Sequence, residues 1–148
     1  MASRSRLRRS FTVESSRVTR HSVDSVLDLL LSPATWPRWQ PEIVSVSGPE
    51  KLAVGDVVEG RARMLGFDVD GRSTTVGIDA HDFEEDVIVG VRMRVSYRVE
   101  PSDQGSIVTR KLVAELPGGF AGRVLSLLLR PRLRAMQKEV LDALARAS

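Results

Sequence analysis

The chain has 148 residues, a net charge of +3 and no cysteine, and 42% of its residues are hydrophobic and 28% charged. This length and balance predict one domain around one core, and the lack of cysteine excludes disulfides, thiolate nucleophiles and cysteine-ligated zinc. No apolar run approaches the about 20 residues of a membrane span, and no apolar segment follows the basic start. We therefore expect a cytoplasmic protein with neither a transmembrane segment nor a signal peptide.

Residues 1–9 are predicted to form a disordered basic N-terminal tail, and residues 10–148 the single domain. The tail contains Arg4, Arg6, Arg8 and Arg9. A solvated tail is the favoured interpretation of such a charge run, and a weak contact with an anionic lipid or RNA surface is the alternative. Nothing in the charge pattern predicts binding to DNA.

The first predicted element is a strand at residues 10–20, after which Ser22 caps a helix whose apolar residues recur at helical spacing. A second short helical turn has Pro33 at its first position and carries both tryptophans of the protein. We expect Trp39 to fill the core where the short helices meet the sheet. Trp36 is expected to be exposed or to lie at the rim of a pocket.

Alternating apolar and polar residues predict strands at 43–47, 57–64 and 67–79. A two-residue loop between the last two strands aligns Met64 with Phe67, which gives the hairpin one apolar or small face and one charged face. The apolar phase then slips, so we expect a bulge at residues 74–76.

The next predicted hairpin joins residues 83–89 to residues 92–100 through a turn at residues 90–91. This register places Glu84 opposite Tyr97 on an otherwise apolar face. Either the register is shifted, or the enclosed space is acidic at this end.

The remaining elements are a strand at 106–116 and a helix at 120–147. Arg110 lies in phase with the apolar residues of the strand, and the helix carries an apolar stripe at three- and four-residue steps. Pro131 lacks the amide donor that the helix needs, so we expect a kink there.

This order of elements predicts an α+β helix-grip fold: a curved antiparallel sheet of six to seven strands wraps around the long C-terminal helix, and two short helices follow strand one. Segments 26–30 with 36–39, then 54–58, 97–101 with 105–109, and 133–139 occur in the order and spacing of a known family. Through them the chain resembles the START-like (SRPBCC) superfamily, which has the birch pollen allergen fold. Within it, the chain resembles the bacterial polyketide cyclase/dehydrase branch.

The resemblance implies a deep apolar pocket between the sheet and the C-terminal helix, for a lipid, an aromatic or a polyketide-like molecule. No cofactor is expected. Arg110 is expected to pair there with Glu84, Asp86 or a ligand carboxylate, because an unpaired buried charge is costly; the alternative is that it faces solvent. The residues predicted to line the pocket are Trp39, Met64, Phe67, Val69, Glu84, Met93, Val95, Tyr97, Arg110, Leu112, Leu129 and Met136.

The sequence shows no nucleophile elbow, phosphate-binding loop or dinucleotide fingerprint, so catalytic residues are left unassigned. If the chain catalyses a reaction of the aromatase/cyclase type, Arg110, Tyr97 and Glu84 are the candidates. The acidic residues around His81 favour a solvated loop over a metal site, because successive strand residues point to opposite faces. No metal is expected.

Three functions remain open at this point. The favoured one is binding of a hydrophobic small molecule, by a monomer or a homodimer. The first alternative is a polyketide cyclase/dehydrase-type enzyme. The second is a toxin-like factor of the same fold that binds ribosomes or other proteins, which the basic tail and the arginines of the last helix keep open.

Overall fold

A computed structural model describes residues 9–64, 66–116 and 118–147. Along this part of the chain the elements are β1 (Arg9–Thr19), α1 (Val23–Leu31), a 3-10 turn (Pro33–Thr35), α2 (Trp36–Trp39), β2 (Ile43–Ser47), β3 (Val57–Met64), β4 (Phe67–Ile78), β5 (Asp82–Val89), β6 (Val91–Ser102), β7 (Gly105–Leu116) and α3 (Gly119–Arg146). The predicted tail lies outside the described residues except for Arg9, which begins β1.

All strands of the described chain belong to one antiparallel sheet in the order β1-β7-β6-β5-β4-β3-β2. The sheet curves around α3, which contacts β1, β7 and α2. The helix-grip fold is therefore confirmed, with the short helices placed after the first strand as predicted.

The core lies between the inner face of the sheet and α3. In β7 every second residue from Ser106 to Leu116 is buried, because successive side chains of a strand point to opposite faces. Arg110 has the same phase and is only 3% exposed. On the facing side, α3 buries residues at three- and four-residue steps, as an amphipathic helix does: Leu129, Leu133, Gln137, Val140, Leu141 and Leu144.

Local sequence signals account for the elements on either side of β2. The Ser22 side chain accepts the backbone N–H of Ser25 at 3.2 Å and so caps α1 as predicted. The β3–β4 hairpin has the predicted register, with Met64 opposite Phe67. The expected bulge is also confirmed, since the pairing of β4 with β5 shifts between Thr75 and Gly77.

The predicted register of the β5–β6 hairpin was wrong by one residue. Tyr97 pairs with Phe83 rather than with Glu84, and Val95 pairs with Glu85. The cause is the turn, in which Gly90 alone, with φ of 76°, separates the paired residues at the strand ends. A one-residue shift moves every side chain to the other face, so β5 places Glu85 inside and Glu84 outside.

The predicted exposure of Trp36 was also wrong, since this residue is buried and lines the cavity between the sheet and α3, whereas Trp39 is buried as expected. Trp36 is 4% exposed, and its indole N–H donates to the carbonyl of Leu30 at 3.0 Å. The 3-10 turn between α1 and α2 brings that carbonyl within reach of the ring. Both tryptophans consequently belong to the packed interior.

The long helix continues through Pro131, which lies on its exposed side. The kink expected there stays a prediction. Among the helices of the described residues, none combines the length and the apolar character that crossing a bilayer requires.

Candidate functional site

A cavity of about 90 Å³ lies between the sheet and α3, next to α2 and the start of β2. Its wall is largely apolar and is interrupted by the buried polar residues Gln40, Ser73, Glu85 and Arg110. The apolar side chains come from several strands and from α3, and they include Val58, Met64, Val87, Met93, Val95, Leu112 and Met136.

Arg110 lines this cavity and is held in place by two neighbouring elements. Its Nε donates to the hydroxyl of Tyr97 on β6 at 2.8 Å, and its Nη1 donates to Oε1 of Gln137 on α3. Gln137 is fully buried, and its amide nitrogen donates to the carbonyls of Val13, at 3.3 Å, and of Arg110 itself, at 2.5 Å. These bonds orient the guanidinium, which has five N–H donors, with two of them engaged in this way.

Tyr97 lies behind Arg110, away from the cavity wall. Its ring is stacked on Phe83, with centroids 5.8 Å apart, and meets the edge of Trp39 at 6.1 Å. The guanidinium carbon of Arg110 lies 5.3 Å from the centre of the same ring. Burial raises the pKa of Tyr97 well above its usual range, so its hydroxyl stays protonated.

Glu85 supplies a carboxylate to the cavity and was not among the residues predicted from the sequence. It is 4% exposed, and its Oε2 accepts the hydroxyl of Ser73 at 2.9 Å. Burial raises the pKa of Glu85 to about 7, while Ser73 and Arg110 act in the opposite direction. The sequence did carry a signal: Phe83, Val87 and Val89 have the same phase as Glu85.

Glu42, between α2 and β2, is a second carboxylate that sequence reasoning missed. Its Oε2 is buried without a hydrogen-bond partner among the described residues. Burial raises the pKa of Glu42, and the positive charge of Arg110 partly offsets this. No local pattern marks this residue, because its burial depends on how α2 and α3 meet.

The cavity adjoins a groove of about 300 Å³ beside α3. Glu42, Met64 and Met136 line both spaces, and Leu129 and Arg132 line the groove alone. We define the junction between the two spaces, which these shared side chains line, as the cavity mouth.

The predicted site residues separate into distinct groups. Met64, Met93, Val95, Arg110, Leu112 and Met136 line the cavity, and Leu129 lines the adjoining groove. Trp39 and Tyr97 pack behind the wall. Val69 is partly buried on β4 outside the wall, and Phe67, at the hairpin tip, is 73% exposed.

Glu84 and Asp86 were predicted as partners of Arg110, and this was wrong. Both side chains lie on the outer face of β5, where they pair with Arg94 at 3.4 Å and 2.5 Å. The register shift explains the error. Within the described residues, no group of three or more acidic or histidine side chains is arranged to hold a metal ion.

The side chains around the cavity define what it is able to bind and which proton transfers it is able to support. An apolar wall binds a hydrophobic body, and an oriented guanidinium binds a carboxylate, a phenolate or an enolate oxygen. Glu85, whose pKa burial raises to about 7, is able to exchange a proton near neutral pH beside that cation. Burial raises the pKa of Glu42 as well.

Comparisons with known proteins agree with the fold. The family described as polyketide cyclase / dehydrase and lipid transport matches residues 10–148. A search of curated proteins finds no match. A solved structure from Thermus thermophilus has a TM-score of 0.78 at 16% sequence identity, and the alignment covers 92% of this chain and 95% of that chain.

Two further solved structures are similar to this chain and have names that describe their proteins. The di-domain ARO/CYC protein StfQ of the steffimycin biosynthetic pathway has a TM-score of 0.73 at 17% identity, with 98% of this chain and 52% of that chain covered. Ara h 8.0201 has a TM-score of 0.66 at 13% identity, with 94% and 100% covered. At such identities these likenesses show the fold alone, whereas the family match extends over almost the entire sequence. The chain belongs to the polyketide cyclase/dehydrase and lipid transport family of the START-like (SRPBCC) superfamily.

Proposed function

We propose that the protein binds a hydrophobic small molecule, a lipid, an aromatic or a polyketide-like compound, between its sheet and α3. The observation that carries this proposal is the oriented guanidinium of Arg110 in the wall of a largely apolar cavity. A ligand with an apolar body and one acidic oxygen complements both features. A purely hydrocarbon ligand would leave the cation without a ligand oxygen.

The size of the cavity sets a condition on binding. Sites for drug-sized ligands measure roughly 300–1,000 Å³, and the cavity measures about 90 Å³. A ligand of that size therefore has to extend through the mouth and occupy the adjoining groove as well. Met64 and Met136 suit this role, because methionine side chains are unbranched and adapt to irregular apolar shapes.

The test is native mass spectrometry of the freshly purified protein, followed by organic extraction and identification of the released compound. We expect a lipid or aromatic acid bound in a one-to-one complex, and weaker retention by Arg110→Met. If the purified protein carries no bound compound, it is titrated with anilinonaphthalene sulfonate and with a panel of fatty acids and aromatic acids. No saturable binding to any of them contradicts the proposal.

A second candidate, a cyclase activity, rests on a separate observation: Glu42 and Glu85 line the same cavity as Arg110. In an intramolecular aldol step a base removes a proton from the carbon between two carbonyls. The resulting enolate carbon attacks a third carbonyl, whose oxygen gains negative charge and then a proton, and water leaves afterwards. Glu85 as the base and Arg110 at the developing oxyanion would fill these roles.

The enzyme candidate is tested with a synthetic poly-β-keto thioester and detection of an aromatic product by absorbance. Wild-type protein should accelerate product formation, and Glu85→Gln should abolish the acceleration. Glu84→Gln is the matched control, since Glu84 lies on the outer face of the same strand. Equal rates with and without wild-type protein leave only the binding function.

A further inference from the structure

The N-terminal half of α3 carries apolar side chains that no described part of the chain covers. Phe120 is 83% exposed, Leu127 78%, Leu128 54% and Val124 39%. These four residues, here called the outer apolar face, are separated by four, three and one positions, so they share one side of the helix. They form an exposed apolar patch rather than scattered single residues, and such patches mark interaction sites.

The outer apolar face lies opposite the side of α3 that packs against the sheet. With 3.6 residues per turn, the buried residues Gly122, Leu129 and Leu133 point about half a turn away from Phe120 and Leu127. The first half of α3 is thus apolar on two sides. Packing within the domain accounts for one of them only.

Basic residues flank the outer apolar face. Between Glu115 and Glu139 the sequence contains four arginines and one lysine and no acidic residue. Arg123, Arg130 and Arg132 are exposed. None of these three forms an ion pair within the part of the chain that the structure describes.

The positive charge around the outer apolar face indicates which kind of partner binds there. A second copy of the chain would bring like charges together, which weakens association. A surface of lipid phosphates complements the arginines, while its acyl region accepts the apolar side chains.

We propose that the outer apolar face docks on an anionic lipid bilayer. Phe120 and Leu127 enter the boundary between headgroups and acyl chains, and the flanking arginines contact phosphate oxygens. Arg132 also lines the groove that leads to the cavity mouth, so docking holds this groove close to the bilayer. Membrane docking holds whether or not the cavity binds a ligand.

Vesicle flotation of the full chain tests the proposal. Binding is expected to vesicles made of equal parts phosphatidylcholine and phosphatidylglycerol, and not to phosphatidylcholine alone. The double variant Phe120→Ser/Leu127→Ser should bind about tenfold or more weakly, because it removes two large apolar groups from the interface. Val54→Ser/Ile88→Ser is the matched control, since Val54 and Ile88 are exposed elsewhere, and it should bind like the wild type.

A spectroscopic test reports insertion directly. The chain has no cysteine, so Leu127→Cys and Val54→Cys can each carry one environment-sensitive fluorophore. The label at 127 should brighten on addition of the anionic vesicles, and the label at 54 should not.

Four outcomes would overturn the proposal. These are no binding to anionic vesicles, equal binding by the Phe120→Ser/Leu127→Ser variant, a silent label at 127, and a dimer in light scattering that this variant converts to a monomer. Binding that depends on Arg4, Arg6 and Arg8 but not on Leu127 would assign the lipid contact to the N-terminal tail instead.

Discussion

At the scale of single residues, Arg110 connects the stability of the domain to its site. It is almost fully buried, and its bonds to Tyr97 and Gln137 join β6, β7 and α3. A buried cation of this kind is costly alone and tolerable only with its partners. The same three-residue arrangement consequently stabilises the fold and presents the cation to the cavity.

Arg110→Met should lower the free energy of unfolding by about 3 kcal/mol, because the Tyr97 hydroxyl and the Gln137 carbonyl lose their partner in the interior. Arg94→Met is the control: Arg94 is exposed and pairs with two surface carboxylates, so its loss should cost below about 1 kcal/mol. Urea denaturation measures both variants. Equal losses of stability in the two variants would show that the buried hydrogen bonds contribute no more than the surface ion pairs.

Glu85 gives the domain a pH dependence with a defined sign. Burial raises the pKa of Glu85 from 4.5 to about 7, so the folded protein retains a proton that the unfolded chain releases between these values. Stability therefore falls as the pH rises across this window and levels off above it. Glu42 acts in the same direction. The contribution of Glu85 is of the order of 3 kcal/mol.

In the variant Glu85→Gln the side chain stays uncharged at every pH. The variant should therefore lose little of the stability that the wild type loses as the pH rises. We expect the variant to match the wild type near about pH 5 and to be more stable by about 2–3 kcal/mol near about pH 8. Glu84→Gln, from the outer face, should keep the wild-type dependence. Denaturant titrations at both pH values measure the free energy of unfolding of each protein. If this free energy changes with pH equally in the wild type and in Glu85→Gln, the result is incompatible with a buried, protonated Glu85.

At the scale of elements, the edge of the sheet beside the cavity depends on a close backbone approach. Gly60 on β3 pairs with Val46 on β2 and with Gly71 on β4. A Cβ atom at residue 60 would lie 2.3 Å from the carbonyl oxygen of Ser45, whereas one at residue 71 would make ordinary contacts with Val89, at 3.6 Å, and with the carbonyl oxygen of Ile88, at 3.8 Å. The close backbone approach therefore requires glycine at residue 60, whereas residue 71 has room for a Cβ atom.

Gly60→Ala should destabilise the protein by about 2–3 kcal/mol and loosen β2, since backbone atoms are unable to move aside cheaply. Gly71→Ala should change the stability by less than about 1 kcal/mol, because its contact is an ordinary one. Denaturation together with amide hydrogen exchange in β2 tests the pair. Similar behaviour of the two variants would contradict the steric explanation.

At the scale of the whole molecule, the cavity joins the groove beside α3, so the cavity mouth between α3 and β3 is the proposed entrance for a ligand. Met136 lies at this mouth and is partly exposed. Met136→Trp should fill it and weaken binding of anilinonaphthalene sulfonate about tenfold or more, by adding bulk where the ligand has to pass. Lys138→Trp, which adds the same ring at an exposed position of α3, is the control. Unchanged affinity for Met136→Trp would place the entrance elsewhere.

Much of this architecture could be predicted from the sequence, and the reason is local. The β3–β4 register followed from a two-residue loop and from side chains that alternate about it, such as Met64 opposite Phe67. The β5–β6 register did not follow, because both alignments place an acid among apolar residues and the difference is one residue in the turn at Gly90. That single step exchanges Glu84 for Glu85 in the cavity.

The sequence by itself determined the order of elements, the helix cap at Ser22, the apolar faces and the inward phase of Arg110. These depend on the periodicity of strands and helices and on local turn chemistry. Only the tertiary structure decided that Gln137 and Tyr97 hold Arg110, that Glu42 joins Glu85 in the cavity, and that Met136 lines the mouth. Those residues are far apart in the chain, and their contacts exist only once α3 packs into the curved sheet.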